Sequence, residues 1–570
     1  MAADLPQSPY GDKIGAPTAG IDDQRAAMMN SALTQDENKM PKGFPFHLWE
    51  KQQQRYRHNW KWFTGEYLSE SAGKTRSGEP IYKFPLRINP IKNFSRKHAA
   101  MLLGEPSENN ARLLIKPNVR VKNLTGDKPD EAKVEQGKYL QNLLNEVWTQ
   151  SNANSIFTEN ATLSQFLGGS YITLNYEPWH TDLIIPIVAH SIKPDFVLPI
   201  WSPTEPFELL EAFIVYRVPE ATAIEMWGYE PDGSRNGANM VTFCEHWTRT
   251  KHWVYLDGKP LTAKYKTADG SEYSVSYNGA DNIFGFVPVF YKPRTREGNF
   301  YGNDIVADIE GLTLEYNGRL ADSGTAMKRT AHRKWFGRNI TQNPRQKMFD
   351  ADTWYADLGM ENPSVKSPPD IWPEDPPKWT EVFNNFNKDI WNQLLREGNM
   401  TKIALGEEEG SQRSAISLAI KFWPMVVIAR MQRIFWSEAL NIVNYRILHM
   451  IAILFKQGML KPIAGLLKEF KLEDLKFFEI TQDWLPMLPR DREQTVNEVV
   501  LLSQANRMSL ERAIKVLGDV KDEDEEIERV WENLQRMLEM QTEQAQEIAD
   551  GKAKADTSTQ SPKADSGLGP

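Results

Sequence analysis

Four groups of side chains in this sequence could do chemistry, judged by residue type and spacing. The first is Gly73-Lys74-Thr75 in SAGKTRSG (71–78), the lysine and hydroxyl pair with which phosphate loops hold a nucleotide. Such a loop needs another glycine five positions earlier, where Leu68 stands, and an apolar strand leading into it, so ATP binding is not expected. The second is Cys244 with His246 and His252, whose spacing matches no closed zinc pattern. On a strand 244 and 246 share one face, so a buried cysteine and hydrogen-bonded histidines are expected. The third is Asp519, Asp522, Asp524 and Glu526, a run that lacks the glycine a calcium loop requires and reads as an acidic surface. The fourth is Glu407, Glu408 and Glu409 between Gly406 and Gly410, flanked by Lys402, Gln412 and Arg413. These acids are either a solvated loop favouring the positive end of the next helix or a negative wall past which a polyanion slides. His449, on a long apolar helix, reads as a packed or solvated residue. No metal and no cofactor is implied.

Composition sets the frame around these groups. The 570 residues correspond to about three or four domain-sized units, and 40% hydrophobic with 25% charged is an ordinary globular balance. The 18 tryptophans are many; large rigid aromatics favour extensive buried surface, within cores or between subunits. A net charge of -9 argues against a broad basic face gripping nucleic acid, although not against a wall that DNA slides past. The one cysteine permits no internal disulfide and fits a reducing compartment. No basic segment followed by an apolar core opens the chain, so no signal peptide is expected. The most apolar stretch, 442–455, is broken by Asn444, Arg446 and His449 and is shorter than the roughly 20 residues a bilayer needs. A soluble protein without membrane contact is expected.

The elements that must position these residues follow from periodicity. Residues 1–43 read as a flexible arm and 548–570 as a disordered tail. Trp49, Tyr56, Trp60 and Phe63 fall at helical spacing. Asn89-Pro90 caps a second helix with Ile91, Phe94 and Leu102 on its apolar face, stopped by Gly104. A third runs from about 130 to 151. After Gly168-Gly169 the segments YITLNYE, LIIPIV, FIVYRV, VTFCEHW, HWVYLDG and YSVSYNG predict an antiparallel sheet region. From Asn303 to about His332 the pattern is helical again, about 45 Å long at 1.5 Å per residue. A Pro-, Asn- and Asp-dense irregular segment follows to Pro376, then a helix from Lys378 to about Asn399. The longest helical run spans Ser414 to about Lys456, with a kink expected at Pro424. KFFEITQDW predicts one more strand, and 493–547 is helical. The fold class is α+β, predominantly helical.

The order of these parts resembles the portal proteins of tailed bacteriophages, particularly those of siphophages. NPIKNFSRKHAAMLLGEP (89–106) looks like that family's early helix with its Leu-Gly-Glu-Pro end. FCEHWT, VYLDG and NIFGFVPVFY look like its strand region, with Ile283 where the family's turn often has proline. FYGNDIVADIEGLTLEYNGRLAD (300–322) resembles the start of its stem helix, and WLPMLPRDREQ and NRMSLERAIKVLGDVKDEDEEIERV resemble its C-terminal helices. The likeness covers about 44–547. The family often has Asn, Gln, Ser and Gly in the loop after the second stem helix; this chain has GEEEGSQRS.

The resemblance implies an architecture: an α/β wing (44–302), stem helices (303–333 and 378–400), a clip (334–377), a tunnel loop (401–413), a kinked helix and wing return (414–484) and a helical crown (485–547). It implies a non-enzymatic subunit of a ring, usually of twelve, at one vertex of the virion capsid and assembled in the host bacterial cytoplasm. The ring would pass double-stranded DNA during packaging, retention and ejection. Implied partners are the terminase large subunit, a head–tail adaptor or connector, and the major capsid and scaffolding proteins. Lys402, Glu407, Glu408, Glu409, Gln412 and Arg413 would line the channel. Trp335, Phe336, Trp354, Tyr355 and Trp372 would make clip contacts. Another non-enzymatic head-assembly or minor capsid protein is the alternative; a packaging nuclease or ATPase lacks the required phosphate loop or carboxylate cluster.

Overall fold

The computed structural model describes residues 39–67, 88–104, 113–123, 130–178, 183–202, 204, 207–230, 240–266, 272–276, 278–298, 300–331, 335–338, 355–357, 370–373, 380–407, 415–463, 467–488, 492–505, 507–517 and 526–542. The chain forms two compact units, one of residues 1–104 and 113–488, the other of 105–112 and 489–570.

In the larger unit, the first helix, α1 (Phe46–Thr64), ends on Gly65 in the left-handed conformation at φ 85°. Tyr56 and Trp49 of its aromatic stripe are buried, Trp60 and Phe63 partly so. Met40 is also buried, ahead of Phe44, where order was expected to begin. The second helix, α2 (Pro90–Leu103), starts as its sequence predicts, with the Asn89 side chain accepting from the Lys92 amide at 3.1 Å. The third, α3 (Glu131–Gln150), is followed directly by α4 (Ala153–Leu167), which periodicity did not reveal. Asn160, Ser164 and Gln165 are as fully buried in α4 as Ala161 and Phe166, so its inward and outward faces do not separate by polarity.

The antiparallel region expected from the sequence is present and divides into several sheets. A three-stranded antiparallel sheet has β2 (Gly169–Tyr176) between β3 (Ile187–Ile192) and β12 (Val289–Pro293). A six-stranded sheet orders β4 (Val197–Trp201), β5 (Leu209–Pro219), β6 (Met240–Thr248), β7 (Lys251–Leu256) and β11 (Asn278–Asp281), with β8 (Lys259–Pro260) beside β7. A short helix, α5 (Glu220–Trp227), links β5 to β6, and β9 (Thr262–Lys266) pairs with β10 (Glu272–Ser276) alone. The break between sheets has a local cause. Between β3 and β4 the chain makes a 3-10 turn at Pro194–Phe196. Two buried glutamines of α1 hold it: Gln52 donates to the Val197 carbonyl at 2.7 Å and Gln53 to that of Asp195 at 2.5 Å. A further strand, β1 (Ile115–Val121), unread in the sequence, pairs antiparallel with the predicted strand β16 (Phe478–Trp484).

The helix α6 (Ile305–Ala331) and the later α7 (Thr380–Glu397) match the two long helices expected, and they pack on one another. Between them, the segment expected to be irregular contains a small sheet. There β13 (Trp335–Arg338) runs parallel to β14 (Tyr355–Asp357) and antiparallel to β15 (Asp370–Pro373). Strands this short pair without a sequence periodicity to announce them. After a one-turn helix, α8 (Lys402–Leu405), comes α9 (Ala415–Lys456), the longest element, with Pro424 inside it. By length and composition Ile420–Lys456 is apolar enough to cross a membrane, beyond the shorter stretch read from sequence. Here its apolar side chains form the core: Trp436, Val443, Ile447, Met450, Ile451 and Leu454 are at or near zero exposure, against α3, β12 and β16.

In the smaller unit, α10 (Arg492–Gln504) packs on α11 (Leu510–Leu517), and residues 526–542 are helical.

Candidate functional site at the turn between two helices

The start of α6 is fixed from several directions. Asp304 caps it, accepting from the Ala307 amide at 3.0 Å, and also pairs with Arg55 of α1 at 2.7 Å. Arg294 is buried; its Nε donates to Gln165 at 3.0 Å and its guanidinium lies 3.8 Å from Asp308. Gly302, at φ 70°, passes so close to Gly168 that a Cβ there would meet its carbonyl oxygen at 2.3 Å, so no other residue fits. Along the pair, Asn387 of α7 donates to Ser323 of α6 at 3.1 Å, and Tyr316 and Trp391 lie 5.2 Å apart.

The end of α7 is the best-built turn in this region. Gly398 presses against Phe94 of α2: a Cβ at 398 would lie 2.7 Å from its ring. Asn399 takes a left-handed conformation at φ 49°, and Met400 is buried. His98, fully buried on α2, bonds the Gly398 carbonyl through Nε2 at 2.8 Å. A carbonyl only accepts, so Nε2 carries the proton. Burial first, and the charge of Arg294 second, push His98 down to about 4. The sequence signal was present, since His98 stands four positions after Phe94 and four before Leu102 on the apolar stripe of α2.

From this anchored turn the chain passes through α8 to Glu407. Trp391 Nε1 donates to the Glu407 carboxylate at 3.0 Å, so this acid is tethered to α7. Thr401 Oγ1 lies 3.7 Å from Met425 Sδ, linking the turn to α9. Lys402, Glu407 and Pro424 are exposed. Glu408, Glu409, Gln412 and Arg413 lie outside the described residues, as do Trp354, the Gly73-Lys74-Thr75 segment and Asp519 to Asp524. Backbone register pairs the remaining aromatics of the 334–377 segment: Trp335 with Tyr355, and Phe336 with Trp372.

The buried cysteine and hydrogen-bonded histidines expected around 244–252 are found. Cys244 is buried and burial pushes its thiol up. His246 pairs with Glu211 at 2.9 Å and stacks on Phe213, while His252 pairs with Glu245 at 2.8 Å and stacks on Trp247. Among the described residues no three His, Cys, Asp or Glu side chains gather as metal ligands. His449 is packed against Phe286 and beside Arg446, and burial lowers it to about 4. An open groove of about 640 Å³ between α1, α2 and α4 has a floor of Trp60, Phe63 and Phe166, with Arg96 and Glu159 among its lining.

Comparison with known proteins bears on these findings. No curated protein matches the chain. Among solved structures, a chain from the neck of an empty GTA particle, computed with C6 symmetry, aligns over 76% of this chain and 91% of its own, at 11% identity and a TM-score of 0.37. In sequence, residues 384–547 match the family described as phage portal protein, SPP1 Gp6-like. That match runs from the first half of α7 through the anchored turn, α9 and β16 to the C-terminal helices, and over this stretch the likeness to phage portal proteins read from the sequence is borne out.

Proposed function

We propose that the chain is one subunit of a portal ring through which double-stranded DNA enters and leaves a capsid. The match of residues 384–547 to the portal family carries this reading. Two features of the fold support it. The packed helices α6 and α7 lead to a turn clamped by His98 and Phe94, which delivers the chain to the acidic run at Glu407. A rigid pair ending in an anchored, charged loop suits a channel constriction. In addition, α9 exposes an apolar stripe, Ile420, Trp423, Val427, Met431 and Ile434, at helical spacing. Stripes of this kind mark surfaces for other chains, and a closed ring offers each subunit the same neighbour twice.

On this reading 303–333 and 378–400 form the stem and 334–377 the clip, where terminase and then a connector dock. Residues 401–413 face the channel axis, 44–302 and 414–484 form the wing and 485–547 the crown. Capsid and scaffolding proteins contact the ring's outside, and the subunit itself performs no catalysis.

The test is size and shape. Purified 65.4 kDa subunits should assemble without nucleotide into annular particles by negative-stain electron microscopy, with a twelve-fold ring weighing about 785 kDa. A monodisperse monomer at micromolar concentration, with no annulus in virions, would falsify the portal reading and favour a minor head component.

A further inference from the structure

Lys292, near the end of β12, is fully buried. Its Nζ lies 4.3 Å from the centroid of the Trp436 ring on α9, and across the sheet it stands opposite Ser170 of β2. Among the described residues Nζ has no hydrogen-bond partner, and neither has Ser170 Oγ or Trp436 Nε1. A buried lysine ordinarily meets a carboxylate, and the elements around this one bring none to it. Arg294, two residues on, is a cation, and the adjacent His98 of α2 is held neutral. Tyr171 of β2 and Tyr291 of β12 belong to the core cluster on the other face of the sheet. On α9, Arg433 is another cation and Glu438 is exposed, as is Glu159 on α4.

An ammonium in this position has only the face of one aromatic ring to replace water. That attraction is weaker than the cost of burying an unpaired charge. Burial alone accordingly pushes the amine well below its ordinary 10.5, toward the uncharged form. Trp436 is the lid over it, and the same stretch of α9 carries the core residues Val443 and Ile447. When this stretch lifts from β12, water reaches the amine and the ammonium returns. The opened state therefore binds a proton that the closed state refuses. Closure is favoured in full above pH 10.5 and weakens as pH falls.

We infer that Lys292 is a proton-coupled latch: the stretch of α9 around Trp436 releases from β12 by taking up one proton. The inference concerns a single subunit and holds with or without a ring. The test is native-state hydrogen exchange on the full chain, read by mass spectrometry from pH 7 to pH 9, a window above the titration of His98. Exchange times are scaled to the intrinsic rate at each pH. Protection of residues 432–447 and of β12 should rise toward tenfold per pH unit, while protection of β5 and β6 should not. Lys292→Met fills the same space without an ionisable group and should abolish the rise while keeping the stretch protected. Lys292→Arg, whose guanidinium keeps its proton, should leave the stretch open at every pH in the window. Native protection that runs parallel to that of Lys292→Met would overturn the latch, as would native protection in Lys292→Arg. A rise shared equally by β5 and β6 would also overturn it, because Lys292 would then report only unfolding of the whole subunit.

Discussion

His98 and Gly398 are 300 positions apart in the chain, yet one hydrogen bond between them holds the turn that leads into the acidic loop. The imidazole is buried, and its folded value of about 4 lies below the ordinary 6.5. The sign of the linkage follows: between those values the unfolded chain binds a proton that the folded chain refuses. The stabilisation is therefore complete above pH 6.5 and is lost as pH falls toward 4. From pH 7 to pH 5 the loss from this one residue is roughly 2 kcal/mol. His98→Gln keeps an N–H donor for the carbonyl but does not titrate. Thermal unfolding at fixed protein concentration should show a smaller drop in midpoint from pH 7 to pH 5 for this variant than for the native chain. An unchanged drop would mean that the imidazole is not held neutral at this turn.

The element that matters most to the proposed channel is the loop after α8. The Trp391 bond tethers Glu407 to α7, so Glu407 serves the loop's position, and on the proposed reading Glu408 and Glu409 would be the acids presented to DNA. Converting only the latter two to lysine should leave ring assembly intact. It should slow packaging or ejection by making the wall adhesive to phosphate, with a defect that eases as salt rises. Packaged DNA length and infectivity at low and raised salt read this directly; native behaviour at low salt would return these acids to ordinary solvated residues. The helices around this loop were legible in the sequence because each has one clear apolar face and recognisable ends, as with Asn89-Pro90. The anchoring was less so, because the partners come from α2, whose lone histidine on an apolar stripe looks the same whether it packs idly or bonds a distant carbonyl. The division of the antiparallel region into separate sheets was not legible for a related reason. Strand composition reports β structure but not which strand pairs with which, and the split between β3 and β4 depends on Gln52 and Gln53 of a helix some 140 residues earlier.

At the scale of the whole molecule, the question is what covers the apolar surface that one chain leaves open. The inner face of α9 is the core of the larger unit, while its outer face between 420 and 434 carries Ile420 at 68%, Trp423 at 54% and Ile434 at 59% exposure. Arg430 lies over the Trp423 ring, 5.3 Å from its centroid, so the stripe is edged by a cation and centred on a large aromatic. Aromatic and arginine anchors of this kind dominate the energetics of protein interfaces. Because these side chains contribute little to the subunit's own core, Trp423→Asp with Ile434→Asp should leave the helical content and unfolding of the subunit close to native. Assembly should nevertheless fall at least tenfold in affinity, which corresponds to about 1.4 kcal/mol, since each interface in the ring would have to bury two carboxylates. Sedimentation velocity across a concentration series would show smaller species replacing the ring at concentrations where the native chain remains assembled. A ring of native stability would place this stripe outside the subunit contact, and the surface that closes the ring would then have to be sought on α7, where Val382 and Phe386 are also exposed.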